Sequence, residues 1–421
     1  MKLQLIPFLL IAVAHSQTPA PPQSVEFRIE NRNRLLDFAA HNDRRYNFEI
    51  SYDLHDWSQH YLSPLKKRNS PVELGWIDEY SPQSEFYRFS VLPWKFQAIE
   101  TSVAINQFDA VGDLAIDMLP DGKRAFVFQN RTTDRLYYGE SLSDGSPSPI
   151  VLIDFHVTND SSDSGFTNIS FAASQDGSRY MVCIDLQSEE LVCFRRSASG
   201  TKWSRSVVAS GLSAPFWAFP EFSISPSGRL GIVYAGNDGS YFSWADSKSP
   251  LVWKNLKISN LKPNSDSGNG LVFNSANIAL TLFGDAFRIN PATSVVKKIT
   301  LPQGIQGRRG QDGSLIAATN SVWSGISYGS ISRSTDDGAT WFEITVELPG
   351  SDFDAIDSVD CNSKGLISFL SGDKLFRQTT PGSSFEISPF PPIGTMVSDK
   401  EDKLHMLVLE LDGELSLASE D

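Results

Sequence analysis

The chain has 421 residues, 40% hydrophobic and 20% charged, a balance that excludes a disordered tail or a low-complexity polymer. Its formal charge is −14, nearly all of it on residues 93–421, and an acidic surface of that kind excludes nucleic acid as a partner because phosphate recognition needs a basic footprint. Three cysteines are too few for a disulfide scaffold.

Residues 1–16 read as a secretory signal peptide: Lys2, a short apolar run from Leu3 to Ala14, and small residues before a cut near Ser16. No later stretch approaches the roughly 20 apolar residues of a membrane-spanning helix, so the expectation is a secreted or periplasmic protein with no transmembrane segment after cleavage. Residues 17–24 form a Pro-rich linker. Residues 25–92 then carry strand-like runs, "VEFRIEN", "LLDFAA", "YNFEISYDL" and "FYRFSV", between polar turns, which predicts a small all-β accessory module. Ser51, Asp53, Leu54, Trp57, Asp78, Phe86, Tyr87 and Arg88 make this stretch of about 65 residues resemble a β-sandwich-like module of exported proteins from environmental bacteria.

From residue 93 onward one cassette recurs seven times: apolar run, tight polar turn, second apolar run, turn, aromatic-rich third run. Its first turns centre on Gly122, Gly177, Gly228, Asn277, Gly313, Gly365 and Asp402, at a mean spacing of about 47 residues. That period fits a blade of four strands, and stacked blades bury faces that one sheet alone leaves open. Six cassettes are followed by a candidate fourth strand; the last stops at "GELSLASED", while "KFQAIETSVAI" stands unpaired upstream of the first. The fold class predicted for residues 93–421 is therefore an all-β β-propeller of seven blades, closed when the N-terminal strand completes the last blade and removes two open edges. The fourth and fifth copies are the weakest, which leaves counts of six and eight open.

Cys183 and Cys193 lie equidistant from a turn near Ser188, so a hairpin could set them opposite each other. A cross-strand disulfide and two buried thiols both fit. Cys361 has no evident partner.

The segment "SRSTDDGATWFEI" sets Ser334, Asp336, Gly338, Thr340 and Trp341 in the spacing Ser-x-Asp-x-Gly-x-Thr-Trp, which resembles the Asp-box of sialidase-type propellers. The resemblance implies a folding role on the face opposite the ligand site. The arginine-proline strand that usually opens a sialidase domain is missing, since "FRIE" at Phe27 and "FRIN" at Phe287 both lack the proline.

Ligand loops in such a ring run from the fourth strand to the next first strand and from the second strand to the third. They carry Asp160, Asp163, Asp266, Asp352, Asp354 and Asp357, oxygen donors that could hold calcium; no other cofactor is indicated. They also carry Phe216, Trp217, Phe219, Trp323 and Tyr328, aromatic planes suited to stacking on a sugar. The expected function is binding of a glycan or another exported protein. A glycoside hydrolase or lyase using rim carboxylates, and a docking platform in an envelope assembly, are the alternatives.

Overall fold

The computed structural model describes the strands Ser24–Glu30, Asn33–Ala39, Tyr46–Ser51, Ser58–Leu62, Val72–Trp76 and Phe86–Val91. Beyond them it describes residues 94–99, 111–130, 135–143, 145–155, 166–212, 220–247, 251–260, 270–282, 286–300, 306–323, 326–348, 356–372, 374–390, 393–409 and 415–420. Residues 1–23, the expected signal segment and all of the expected linker but Ser24, lie outside these residues, and no described helix is long and apolar enough to cross a membrane. The six N-terminal strands form two antiparallel sheets. One has the order Ser24–Glu30, Asn33–Ala39, Val72–Trp76, and the other Ser58–Leu62, Tyr46–Ser51, Phe86–Val91.

The rest is seven four-stranded antiparallel sheets. Blade 1 comprises Val111–Met118, Arg124–Asn130, Arg135–Glu140 and Val151–Phe155, and blade 2 Phe166–Ala173, Arg179–Asp185, Glu190–Arg196 and Ser204–Ala209. Blade 3 comprises Glu221–Ile224, Leu230–Gly236, Gly239–Ala245 and Lys254–Ser259. Blade 4, with the shortest strands, comprises Leu271–Phe273, Ala279–Thr281, Ala286–Asn290 and Val295–Ile299. Blade 5 runs Gln306–Arg309, Leu315–Trp323, Ile326–Ser334, Phe342–Glu347, and blade 6 Ile356–Cys361, Ile367–Ser371, Lys374–Gln378, Phe385–Pro389. In blade 7 the order is Ile393–Ser398, Leu404–Leu409, Leu415–Glu420, Trp94–Ala98, so a strand from before the ring supplies the outer edge. Each first strand neighbours the first strand of the next blade, and that of blade 7 neighbours that of blade 1, which closes a seven-bladed β-propeller.

The second strands explain why the sheets stack. All seven residues of Arg179–Asp185 are buried, because alternate side chains enter different interfaces. Met181 and Cys183 join the cluster shared with blade 1, around Tyr138 and Phe171. Tyr180, Val182 and Ile184 join the cluster shared with blade 3, around Phe222 and Ile232. The outer strands keep exposed positions such as Val207, Val295, Phe342 and Ile387.

This register decides the cysteine question. Asp185 pairs with Glu190, so Val182 faces Cys193 and Cys183 faces Val192. The hairpin is centred half a residue away from the midpoint between the two cysteines, which sends them to opposite faces of the sheet. Both are buried free thiols, as is Cys361, so the expected alternative of a cross-strand disulfide does not hold.

The seven first turns share one geometry. In each, the residue that opens the turn donates its N–H to the carbonyl four positions on and accepts from the N–H three positions on, as Ser174 does with Ser178 and Gly177. The residue two before the second strand has positive φ in every blade: Gly122, Gly177, Gly228, Gly313 and Gly365, and also Asn277 at 59° and Asp402 at 67°. The two exceptions to glycine carry a further bond. Asn277 Oδ1 accepts from the N–H of Ser227 on the preceding blade (2.9 Å), and Asp402 Oδ1 accepts from that of Ser363 (2.8 Å). Asn and Asp tolerate the left-handed region at modest cost, and here their side chains tie adjacent turns together.

Candidate functional site in the axial channel

The first strands carry a charged group at the centre of the ring. Asp117, Arg308 and Asp360 each sit two residues before the residue that opens their blade's first turn, so blades 1, 5 and 6 present them at the same level. Arg308 Nε donates to Asp360 Oδ1 at 2.8 Å, and its Nη2 lies 3.8 Å from Asp117 Oδ1. A side chain from blade 5 that meets blade 1 lies across the axis. Glu221, two residues earlier in the first strand of blade 3 than the matching level, feels the same guanidinium.

The two aspartates also hold the ring. Asp117 accepts from the N–H of Ala173 on blade 2 (2.8 Å) and from that of Met118, while Asp360 Oδ2 accepts from the N–H of Ser398 on blade 7 (2.7 Å). Asp113 does the same toward Ile169 (2.9 Å). These carboxylates thus stitch the first strand of blade 1 to that of blade 2 and the first strand of blade 6 to that of blade 7, and Arg308 lies against Asp117 and Asp360. Arg308 keeps 32% of its side chain open to the axial space, against 4% for Asp360.

Glu221 differs from both. Its carboxyl has no hydrogen-bond partner among the described residues, and the residue is half-buried. Desolvation pushes its pKa up to about 8, with Arg308 opposing the shift only in part. Burial also raises the Asp117 carboxyl, against the pull of Arg308 and of the N–H groups of Ala173 and Met118. Arg308 itself is held more firmly charged by Asp360 and Asp117, which outweigh its desolvation. One guanidinium, two hydrogen-bonded aspartates and one glutamate without a partner among the described residues therefore line the axis.

At the end of the ring that carries the first turns, a cavity of about 340 Å³ is lined by Ser174, Asp176, Ser225, Ser227, Ser247 and Arg309. Its polar groups are largely engaged: Asp176 accepts from Ser174 and from Ser178, and Arg309 donates to the Phe273 carbonyl (3.3 Å).

The Ser334–Trp341 loop joins the third and fourth strands of blade 5. Asp336 accepts from Ser334 Oγ (2.8 Å), from the N–H of Ala339 (3.1 Å), and from both the N–H (2.8 Å) and hydroxyl (2.6 Å) of Thr340. The Thr340 hydroxyl and N–H, with Ser334, pull its pKa down to about 2. Gly338 has φ +86°, and an added Cβ would come within 2.6 Å of Leu280. Trp341 packs on the cluster of Leu280, Leu282 and Leu315 between blades 4 and 5. Asp337 takes the N–H of Ser275 on the blade 4 first turn (3.0 Å), which puts this loop at the turn-bearing end.

Of the other predicted positions, Phe216, Trp217, Phe219, Asp160, Asp163, Asp266, Asp352 and Asp354 lie outside the described residues. Trp323 ends the second strand of blade 5, and half-buried Tyr328 stands opposite Ser321 in the same hairpin. Asp357 is exposed and accepts the N–H of Gly372 (3.1 Å). Among the described residues no three His, Cys, Asp or Glu side chains converge as a metal site.

The sequence reading looked to the rim and passed over the axis. The signal that was present is a charge inside an otherwise apolar first strand, in "LAIDML", "PEFSI" and "SVDCN".

No family model matches the chain, and no curated protein does either. Among solved structures it is similar to a protein of unknown function from Dyadobacter fermentans at 12% identity and a TM-score of 0.46, covering 77% of this chain and 98% of that one. It is similar to the GH93 α-L-arabinofuranosidase of Fusarium graminearum in complex with arabinobiose, at 12% identity and 0.43, with 77% and 96% covered. A further likeness is to an extracellular domain from B. thetaiotaomicron, at 10% and 0.46, where the match covers 76% of this chain and 39% of the other.

Proposed function

We propose that this chain is an exported β-propeller that binds a glycan through its axial channel and the aromatic loops around it. The observation that carries the reading is Arg308, a guanidinium fixed by Asp360 at 2.8 Å yet with a third of its side chain open to the axial space, and near enough to Glu221 to act on its charge. A ligand hydroxyl entering the axial space would find the Glu221 carboxyl without a partner among the described residues. Arg308 supplies donors and the carboxyls supply acceptors, the complement a polyhydroxylated ligand needs. Phe216, Trp217, Phe219, Trp323 and Tyr328 supply stacking surfaces for the apolar sugar face. The Asp-box likeness of Ser334 to Trp341 supports a propeller scaffold of that type, Asp352 and Asp354 add carboxylates to the glycan-binding loops, and Asp160 and Asp163 are the loop residues that would hold calcium.

A glycan array probed with the mature protein, with calcium and again with chelator, tests this. A saccharide bound by the wild type and lost in both Trp217→Ala and Glu221→Gln is the expected result, and an empty array overturns the glycan reading for those sugars.

One observation favours a second reading, a glycoside hydrolase. Glu221, whose pKa burial raises to about 8, and Asp117, 3.8 Å from Nη2 of Arg308, are two carboxyls acted on by one guanidinium, the groups an acid and base pair would draw on. Under that reading Glu221→Gln loses turnover of a bound saccharide yet still binds it.

A further inference from the structure

Resting on the glycan reading, a tier of polar side chains above the charged level specifies what the sugar must present. Four residues before the residue that opens each first turn, the first strands carry Ser170, Glu221, Gln306, Ser358 and Thr395 on blades 2, 3, 5, 6 and 7, and Ala or Gly on blades 1 and 4. This tier lies one pleat from the level of Asp117, Arg308 and Asp360, on the same face of each strand. Apart from Glu221 it carries no charge.

Gln306 is the member whose bonds leave a single valence open. Its Nε2 donates to the Ile356 carbonyl (3.1 Å) and to the Asp357 carbonyl (2.9 Å), at the bulge in the first strand of blade 6. Both amide hydrogens are spent there, which fixes the nitrogen end of the carboxamide and leaves Oε1 as an acceptor only. That oxygen takes no bond among the described residues and is not buried. Gly307 shows which way the strand faces. A Cβ there would meet the Leu271 backbone of blade 4 at 2.7 Å, so Gln306 and Arg308 project from the opposite face, toward blade 6, where Arg308 meets Asp360.

An acceptor with no hydrogens therefore stands beside a guanidinium with no acceptor, about 6.6 Å apart along one strand, a span that a sugar ring with its hydroxyls can bridge. A carboxylate or sulfate offers Oε1 no hydrogen and would also face Asp117 and Asp360. An O-methylated position has lost the hydrogen that Oε1 needs. Two unsubstituted hydroxyls answer both groups.

We propose that Gln306 is a specificity-determining residue of the axial channel, its Oε1 accepting from one free hydroxyl of a neutral glycan while Arg308 donates to the next.

Titration calorimetry of the mature protein against cellotetraose, mannotetraose and arabinotetraose, each also fully O-methylated, and against tetragalacturonate tests this. A neutral tetrasaccharide should bind, and its O-methylated form and the tetragalacturonate should bind about tenfold more weakly or worse. Gln306→Lys keeps a donor for the Ile356 and Asp357 carbonyls but has no acceptor, so it should melt with the wild type and lose about tenfold in affinity. Monofluoro forms of the tetrasaccharide, in which one hydroxyl can no longer donate, put the same question to the wild type and should show that loss at one ring position. Wild-type affinity in Gln306→Lys, or in every monofluoro form where the lysine variant does not fold, overturns the assignment and leaves the glycan reading standing. Preference for tetragalacturonate does the same. Absence of binding by all three neutral tetrasaccharides overturns the assignment too, and with an empty array the glycan reading falls with it.

Discussion

At the scale of single residues, this molecule shows one ionisable group that ties stability to pH. Glu221 has its pKa raised from 4.5 in the unfolded chain to about 8 in the ring. The folded state therefore holds more protons than the unfolded state between those values, and stability falls as pH climbs through that window. The full shift at about 1.4 kcal/mol per pKa unit is an upper bound, because the side chain faces the axial space; a loss of roughly 1–3 kcal/mol is the expected size. Glu221→Gln should flatten this slope, melting like the wild type near pH 4.5 and above it at pH 8.5. Melts taken across that range check it, and parallel slopes for the two proteins would show that Glu221 ionises freely in the ring. Little of this was legible in the sequence. Residues 117, 221, 308 and 360 become neighbours only when seven blades close, and no local spacing encodes that.

At the scale of the turn and the strand, the opposite holds. All seven first turns were legible because their fourth residue must adopt positive φ, and only Gly, Asn and Asp do so readily. The strand pairing was less so, since the cysteine hairpin needed its register fixed to half a residue before the two thiols could be sent to one face or two. The weakest copy in sequence, blade 4, is also the one whose first two strands have three residues each, too few to show alternation. Yet its turn carries a cross-blade tie that glycine could not make. Asn277→Gly keeps the backbone conformation and loses the bond to Ser227, at a cost of about 1 kcal/mol. Asn277→Ala loses the bond and also strains φ, so it should fall about a further 1 kcal/mol. Equilibrium denaturation of the pair checks the order, and an alanine variant as stable as the glycine one would show that the turn relaxes out of the left-handed region.

The whole molecule is a stack without ends. Each buried second strand gives its two faces to two different neighbours, so no blade completes its own core. Closure matters for the axis as well, because Asp360 reaches blade 7 through Ser398 while Arg308 reaches blade 1 through Asp117. A chain ending at residue 392 would remove three strands of blade 7 and open the ring between blades 6 and 1. An open solenoid would tolerate that loss and melt slightly lower. A closed ring should not: Asp360 loses the Ser398 N–H, the first strands of blades 1 and 6 lose a neighbour on one face, and two edges become free to pair with other chains. The expected outcome is loss of a cooperative melt and aggregation at micromolar concentration, read by scanning calorimetry and light scattering. A soluble six-bladed protein with a sharp transition would show instead that the blades adjust their spacing to reclose, and that the axial geometry around Arg308 is not set by the number seven.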